Sequence, residues 1–233
     1  MKISVITLFP EVFEPILNSS ILKRAQLKGK VAFNIVSHRD FGIGKHKIVD
    51  DKPYGGGAGM VLRVDVMDEV IKSTRTGIKG EKVVLLDPQG KVYKQEVAEE
   101  FSTLSHLILV CGHYEGFDER IRSLVDMELS VGDYVLTGGE IPAMAVIDSV
   151  TRLIPGVLKD ETATKTESHS LVDGKRILEG PTYTRPETYN GITVPTALIS
   201  GDPVKIQKFK KEQSQIMTKR RRPELLKEVK DNG

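Results

Sequence analysis

The sequence predicts an α/β protein organised around a parallel β-sheet, followed by a smaller, basic C-terminal region. Over the first ~155 residues, short apolar runs alternate with segments of helical periodicity, the pattern of strands joined by crossover helices. Two of the apolar runs end in glycine-bearing turns, residues 112–116 and 137–140. Open α/β sheets bind ligands at strand ends, so these turns predict a binding site. Two ordinary strand-to-helix connections are the alternative.

Short apolar runs predict five strands, at residues 2–8, 31–36, 82–86, 107–111 and 131–136. The predicted helices begin at Pro10 and at a cap on Ser19 or Ser20, and then cover residues 65–72, 95–102, 118–124 and 142–153. Residues 39–63 form a long irregular stretch that contains the glycine run 55–59. A loop of this length is uncommon unless it is functional, although a solvated surface loop is the alternative.

The chain changes character after the predicted helix 142–153. Residues 156–180 are polar with weak periodicity, which indicates a linker or a mobile lid. Asp202 and Pro203 then suit a helix start, as N-cap and first helical residue. One face of that helix is predicted to be apolar, with Ile206, Phe209, Ile216 and Met217. The other is basic, with Lys205, Lys208, Lys210, Lys211, Lys219, Arg220, Arg221 and Arg222.

Composition excludes several classes of protein. No apolar stretch approaches the roughly 18 residues of a membrane-spanning helix. The single cysteine, Cys111, excludes an intramolecular disulfide and thiolate-rich zinc sites, and fits a reducing cytoplasm. Met60 stands where a dinucleotide-binding fingerprint would need glycine. The net charge is only +2, so a nucleic-acid partner would have to meet a local basic patch.

Six segments occur in a fixed order: VDDKPYGGGAGM, DPQGK, CGHYEGFDERI, SVGDYVLTGGEIPAMAVIDSVTR, IPGVL and YTRPE. Together they resemble the bacterial TrmD family, the tRNA (guanine-N1) methyltransferases that act on guanosine 37 in the anticodon loop of tRNA. The resemblance runs from the N-terminus to about Leu226. It implies a fold of the SPOUT class, with a trefoil knot that periodicity alone does not predict. It also implies a cytoplasmic homodimer that uses S-adenosylmethionine, with Mg²⁺ as a further requirement.

The same resemblance divides the chain into a knotted S-adenosylmethionine-binding domain (1–158), a flexible linker or lid (159–175) and a helical, basic tRNA-binding domain (176–233). Three loops are expected to hold the methyl donor. Their residues are Leu86, Asp87, Pro88, Gly90, Gly112, Tyr114, Glu115, Val131, Gly132, Asp133, Tyr134, Val135, Leu136, Gly138, Gly139 and Pro142. The target base or its neighbour is expected against Gly55, Gly56, Gly57, Gly59 and Met60. Asp87 stands where serine is common in the family, and adds a negative charge.

Two residues are expected to carry the proton chemistry. Arg152 matches the arginine of the family that binds guanine, where a guanidinium stabilises the charge that develops as N1 loses its proton; a structural salt bridge is its alternative role. In the family, the general base is an Asp that is followed by Ser in the lid. Counting forward from Arg152 places Glu167 there, and counting back from YTRP places Asp173 there. Glu167 is preferred, and solvated linker acids are the alternative for both.

Three other functions remain to be weighed. The first is a SPOUT methyltransferase that acts on ribosomal RNA, which differs in the RNA that accepts the methyl group. The second is a noncatalytic tRNA-binding protein, which would be expected to have lost Arg152 or the turn at Gly138 and Gly139, and both are present. The third is a dinucleotide-dependent α/β enzyme, which the missing fingerprint disfavours.

Overall fold

The structure is a computed structural model that describes residues 1–160 and 162–227. The chain divides into two compact units, Met1–Lys159 and a second one that begins at Asp160.

The first unit is built on a five-stranded sheet in which all pairings are parallel. Its strands, in chain order with two short ones outside the sheet, are β1 (Lys2–Thr7), β2 (Ala32–Ser37), β3 (Asp50–Asp51), β4 (Val61–Leu62), β5 (Glu81–Val92), β6 (His106–Cys111) and β7 (Met127–Ser130). The order across the sheet is β2-β1-β6-β5-β7. The short strands β3 and β4 pair with each other, antiparallel. The predicted parallel α/β sheet is therefore confirmed.

Helices cover both faces of this sheet. They are α1 (Glu14–Leu17), α2 (Ser20–Leu27), α3 (Val64–Thr74), α4 (Gln95–Ser102) and α5 (Glu140–Thr151), with 3₁₀ turns at Pro10–Val12, His38–Phe41 and Glu119–Leu124. Side chains alternate between the faces along each strand. In β6, Leu107 and Leu109 pack with α2, α4 and α5, whereas Ile108 and Val110 pack with α3. Burial on both faces explains why β6 is apolar almost throughout.

The predicted strand at residues 131–136 is wrong, because the last strand of the sheet is Met127–Ser130. Met127–Ser130 pairs with the free edge of β5. Leu129 lies opposite Leu86 and, after a shift in register, also opposite Lys91. The chain then turns away. The amide of Gly132 donates to Ser130 Oγ over 3.2 Å, and the φ of Gly132 is +152°. Residues 131–136 are left free to form a loop.

The second unit contains more strand than its sequence predicts. Its elements are α6 (Ala163–Thr166), the pair β8 (Ser170–Val172) and β9 (Lys175–Ile177), the pair β10 (Thr188–Tyr189) and β11 (Ile192–Thr193), α7 (Thr196–Ile199), α8 (Pro203–Arg221) and a 3₁₀ turn at Pro223–Leu226. The Asp202 carboxylate caps α8 by accepting from the amide of Val204 over 2.9 Å. The basic side chains predicted for this helix are all exposed.

The predicted apolar face of α8 is only partly correct. Ile216 is 56% exposed, whereas Ser214 and Thr218 are buried. The backbone of Leu178 explains the difference: its carbonyl accepts from Ser214 Oγ, and its amide donates to Thr218 Oγ1 over 2.9 Å. Two hydroxyls on the inner face therefore satisfy an irregular backbone segment that an apolar stripe would leave unpaired.

Candidate active site

A cavity of about 300 Å³ opens in the first unit where three loops meet. The first loop interrupts β5 after Leu86, the second follows β6, and the third connects β7 to α5. The walls are formed by Leu86, Asp87, Pro88, Gln89, Gly112, His113, Tyr114, Glu115, Gly116, Phe117, Leu129, Ser130, Val131, Tyr134, Val135, Leu136, Thr137, Gly138, Gly139 and Pro142. The cavity lies at the carboxyl ends of parallel strands, as the two glycine turns predict.

The second and third loops are in direct backbone contact. The amide of Gly139 donates to the carbonyl oxygen of Gly112 over 2.8 Å, and His113 and Gly138 form an isolated antiparallel bridge. A Cβ on Gly139 would lie 2.6 Å from the Cα of Cys111. This crossing of two backbones therefore requires glycine at position 139.

All but three of the predicted donor-binding residues lie in the cavity wall. Of the three, Gly90 passes beside β7, where a Cβ would lie 2.3 Å from the amide nitrogen of Leu129. Gly132 and Asp133 lie in the turn after β7. The wall residues outside the predicted donor-binding set are Gln89, His113, Gly116, Phe117, Leu129, Ser130 and Thr137. His113, Gly116 and Thr137 nevertheless lie in the two glycine turns that predict a binding site. Leu129 and Ser130 were missed because the predicted strand began too late, whereas the others adjoin predicted residues within the same segments.

Glu115 connects the cavity to the glycine-rich loop at 55–60. Its amide donates to the carbonyl oxygen of Met60 over 3.0 Å. A Cβ on Gly59 would lie 2.4 Å from Cγ of Glu115. Gly55, Gly56, Gly57 and Gly59 all have positive φ, and the neighbouring Tyr54 is fully exposed. The loop predicted to meet the target base is thus adjacent to the cavity wall.

Thr7 and Glu140, two buried residues that the sequence analysis did not identify, support the third loop. Glu140, the first residue of α5, is 9% exposed, and its Oε1 accepts from Thr7 Oγ1 over 2.7 Å. A carboxylate in the first helical turn is favoured by the helix dipole. Burial raises the pKa of the Cys111 thiol, and the negative charge of Glu140 raises it further. Cys111 is therefore an unreactive thiol beneath the cavity.

The residues predicted to carry the proton chemistry are not among those that form the cavity wall. Arg152 directly follows α5 and is half-buried, outside the cavity wall. Glu167 directly follows α6 in the second unit. Asp173 lies in the turn between β8 and β9, with a φ of +50° followed by +73° at Gly174. Two consecutive positive φ values are typical of a tight hairpin turn, for which Asp-Gly is a favoured pair.

Within residues 1–160 and 162–227, no group of three or more His, Cys, Asp or Glu side chains gathers to hold a metal ion. Within the same residues, every helix is too short or too polar to cross a membrane.

Comparison with known proteins identifies the class. The family model described as tRNA (Guanine-1)-methyltransferase TrmD matches residues 1–228. The tRNA (guanine-N(1)-)-methyltransferase of Halalkalibacterium halodurans is 53% identical over 228 residues, which cover 97% of this chain and 91% of that protein. Proteins with the same name from Carboxydothermus hydrogenoformans and Staphylococcus carnosus are 51% and 50% identical, over 97% of this chain and 88% and 91% of their own lengths.

The α/β fold, the cavity at the strand ends and these relatives define an RNA-modifying methyltransferase. More narrowly, the chain belongs to the TrmD family of tRNA (guanine-1)-methyltransferases.

Proposed function

We propose that this enzyme transfers the methyl group of S-adenosylmethionine to N1 of guanosine 37 in the anticodon loop of tRNA. The observation that carries the proposal is the contact between two sites. The cavity suited to the methyl donor and the glycine-rich loop suited to the target base meet at Glu115. Donor and acceptor must come together for an in-line transfer, and orientation supplies much of the acceleration in such reactions.

The cavity fits S-adenosylmethionine in three respects. Its size lies at the lower end of small-molecule sites, which are roughly 300–1,000 Å³. Glycines at 112, 138 and 139 leave backbone amides and carbonyls accessible where a Cβ would meet other atoms. Glu115 places a carboxylate in the wall, which favours a positively charged ligand. When bound, this cofactor would supply the methyl group.

Arg152 and Glu167 are the residues we propose for the acceptor side. The Arg152 guanidinium would stabilise negative charge on the guanine, and the Glu167 carboxylate would take the N1 proton. Asp173 is the alternative base, and its backbone forms the turn between β8 and β9. An acid on that turn can be replaced by asparagine without loss of the turn, which makes the two carboxylates experimentally separable.

We propose that the chain is threaded as a trefoil knot of the SPOUT class. The strand order supports this. After β6 the chain crosses β5 to form β7 at the sheet edge, and then returns so that α5 packs on the β1 and β6 side. Leu129 pairs on both sides of the β5 loop, with Leu86 and with Lys91, which supports a crossing at that loop.

The remaining proposals concern partners. Exposed Tyr134, Val135 and Ile141 beside the cavity support a homodimer in which one subunit's lid completes the other's site, because such apolar patches mark interfaces. The exposed basic residues of α8 support binding of the tRNA backbone by a C-terminal domain from residue 176, after a lid at 159–175. A cytoplasmic location is proposed because the substrate is tRNA. A Mg²⁺ requirement is also proposed, and its support is the resemblance to the family alone.

Methyl transfer from tritium-labelled S-adenosylmethionine tests the function against its rivals. We expect label in unmodified tRNA, none in ribosomal RNA, and strong loss of transfer for Arg152→Ala. Label confined to ribosomal RNA would favour the other SPOUT enzyme. A protein that binds tRNA but shows no heat of binding with S-adenosylmethionine would be noncatalytic.

A further inference from the structure

Arg122 contacts three carboxylates, of which one, that of Asp87, lies in the cavity wall. Its Nε donates to Glu119 Oε2 over 2.9 Å, its Nη1 donates to Glu128 Oε2, and its Nη2 lies 3.4 Å from Asp87 Oδ2. A planar guanidinium with several fixed donors is suited to holding separate acceptors in one geometry, which a lysine ammonium is not.

The contacts join the elements that carry all three walls. Asp87 is in the first loop, and Arg122 is in the 3₁₀ turn that follows the second loop. Glu128 is in β7, from which the third loop departs. Glu119 is different, because it lies in the same 3₁₀ turn as Arg122 and is 84% exposed. Only the pairs with Asp87 and Glu128 therefore join Arg122 to other elements around the cavity.

The pair between Arg122 and Asp87 is expected to affect stability more than an exposed pair, because both side chains are largely buried. The side chains of Asp87 and Arg122 are only 10% and 19% exposed. The other Asp87 oxygen, Oδ1, accepts from the amide of Gln89 over 2.8 Å, so the carboxylate is tied both to its own loop and to Arg122. Removal of Arg122 would leave the largely buried charge of Asp87 uncompensated, which costs far more than the loss of an exposed pair.

We infer that Arg122 is a positioning residue that fixes the three walls of the methyl-donor cavity through Asp87 and Glu128, and that Asp87 makes it indispensable. The inference rests on the proposed use of S-adenosylmethionine. It also accounts for the largely buried carboxylate at position 87. A buried carboxylate there is tolerated because Arg122 neutralises it, so the two residues are expected to matter as a unit.

A double-mutant cycle tests the inference. The variants are Asp87→Ser, Arg122→Gln and both together, and the measurements are calorimetric Kd for S-adenosylmethionine and thermal unfolding without ligand. We expect Arg122→Gln to raise Kd on the order of 10-fold or more, and the double variant to regain most of that loss, because residues in one network couple. KM for the donor should rise with Kd while kcat at saturation is largely kept, a split that general destabilisation would not produce.

Lys72→Gln is the matched control, because Lys72 pairs with Asp68 on the surface of α3 and is 72% exposed. Its Kd should equal that of the wild type. If the losses of the two single variants multiply in the double variant, Arg122 does not act through Asp87 and the inference fails. If the wild type itself shows no binding, the proposed cofactor fails, and the unfolding cycle decides the inference: coupled shifts in Tm support the pairing and additive shifts overturn it.

Discussion

Glu115 and Gly59 are packed so closely that a Cβ on the glycine would lie 2.4 Å from Cγ and 2.5 Å from Oε1 of the glutamate. The same glutamate holds the carbonyl oxygen of Met60 through its backbone amide. One residue of the cavity wall thus contacts both Gly59 and Met60, the last two residues of the glycine-rich loop. Displacement of this glutamate is expected to disturb both substrates.

Gly59→Ala should therefore move the Glu115 side chain out of its place. We expect kcat/KM for methyl transfer to fall on the order of 10- to 100-fold, since small misplacements at a reacting site have such effects. Gly55→Ala is the control, because Gly55 has a similar φ of +86° but open space around its Cβ position. Equal losses in the two variants would show that backbone strain, and not the contact with Glu115, is responsible.

Thr7→Val should destabilise the third loop without touching the cavity. Thr7 Oγ1 donates to Glu140 Oε1 and accepts from the amide of Phe9 over 3.0 Å, so valine removes both bonds in a buried region. We expect a loss of about 1–3 kcal/mol in the free energy of unfolding, the range for an unsatisfied buried polar group. Thr7→Ser keeps the hydroxyl and should lose much less in a urea titration. Equal losses would mean that the methyl group of Thr7 matters, and not its hydroxyl.

Glu81 should make the fold sensitive to acid. Burial alone would raise the pKa of this carboxyl, but hydrogen bonds from Thr76, His106 and Gly77 outweigh it and lower the pKa from 4.5 to about 2. A depressed folded-state pKa gives stability that is present above the unfolded value of 4.5 and is lost as the pH falls from there towards 2. A shift of this size corresponds to ~3 kcal/mol.

Burial lowers the pKa of His106 from 6.5. Its neutral form is therefore favoured in the folded state, and stability also declines as the pH falls below 6.5. Urea midpoints measured from pH 7 to pH 3 should decline through both windows. In Glu81→Gln the decline below pH 4.5 should be much shallower. A variant whose curve stays parallel to that of the wild type would contradict the role of Glu81.

Glu167→Gln and Asp173→Asn should separate the two candidate bases. We expect the first to lower kcat about 10²- to 10⁴-fold with little change in KM for tRNA, the size of a general-base effect. Asparagine at position 173 keeps the turn before Gly174, so the second variant should retain activity and stability. The reverse pattern, with activity kept in the first and lost in the second, would assign the base to Asp173.

Local sequence pattern predicts much of the fold, but it does not predict which strands pair with one another. Continuous apolar runs predict β6 and its neighbours because both faces of each strand are buried. The position of β7 could not be predicted in this way. Residues 127–130 and 131–136 are both compatible with strand, and the choice is made by a distant partner, the free edge of β5. The order of strands across the sheet is likewise a matter of long-range pairing.

In the candidate site, too, local sequence pattern predicts some residues and not those that depend on a distant partner. Cavity residues such as Gly139 and Pro142 lie in contiguous segments whose glycine turns are visible in the sequence. Thr7 and Arg122 escaped detection because each acts through a partner far away in the chain, Glu140 and Asp87 respectively. Nothing in a single threonine or arginine indicates such a partner until the strands are in register.

The most direct test of the account is to locate the methyl group in the product. A tRNA transcript with guanosine at position 37 should be incubated with the enzyme and S-adenosylmethionine, digested, and mapped by mass spectrometry. We predict one N1-methylguanosine, at position 37, and no product from a transcript with adenosine there. A methyl group on another nucleotide, or equal methylation of both transcripts, would contradict the proposed function.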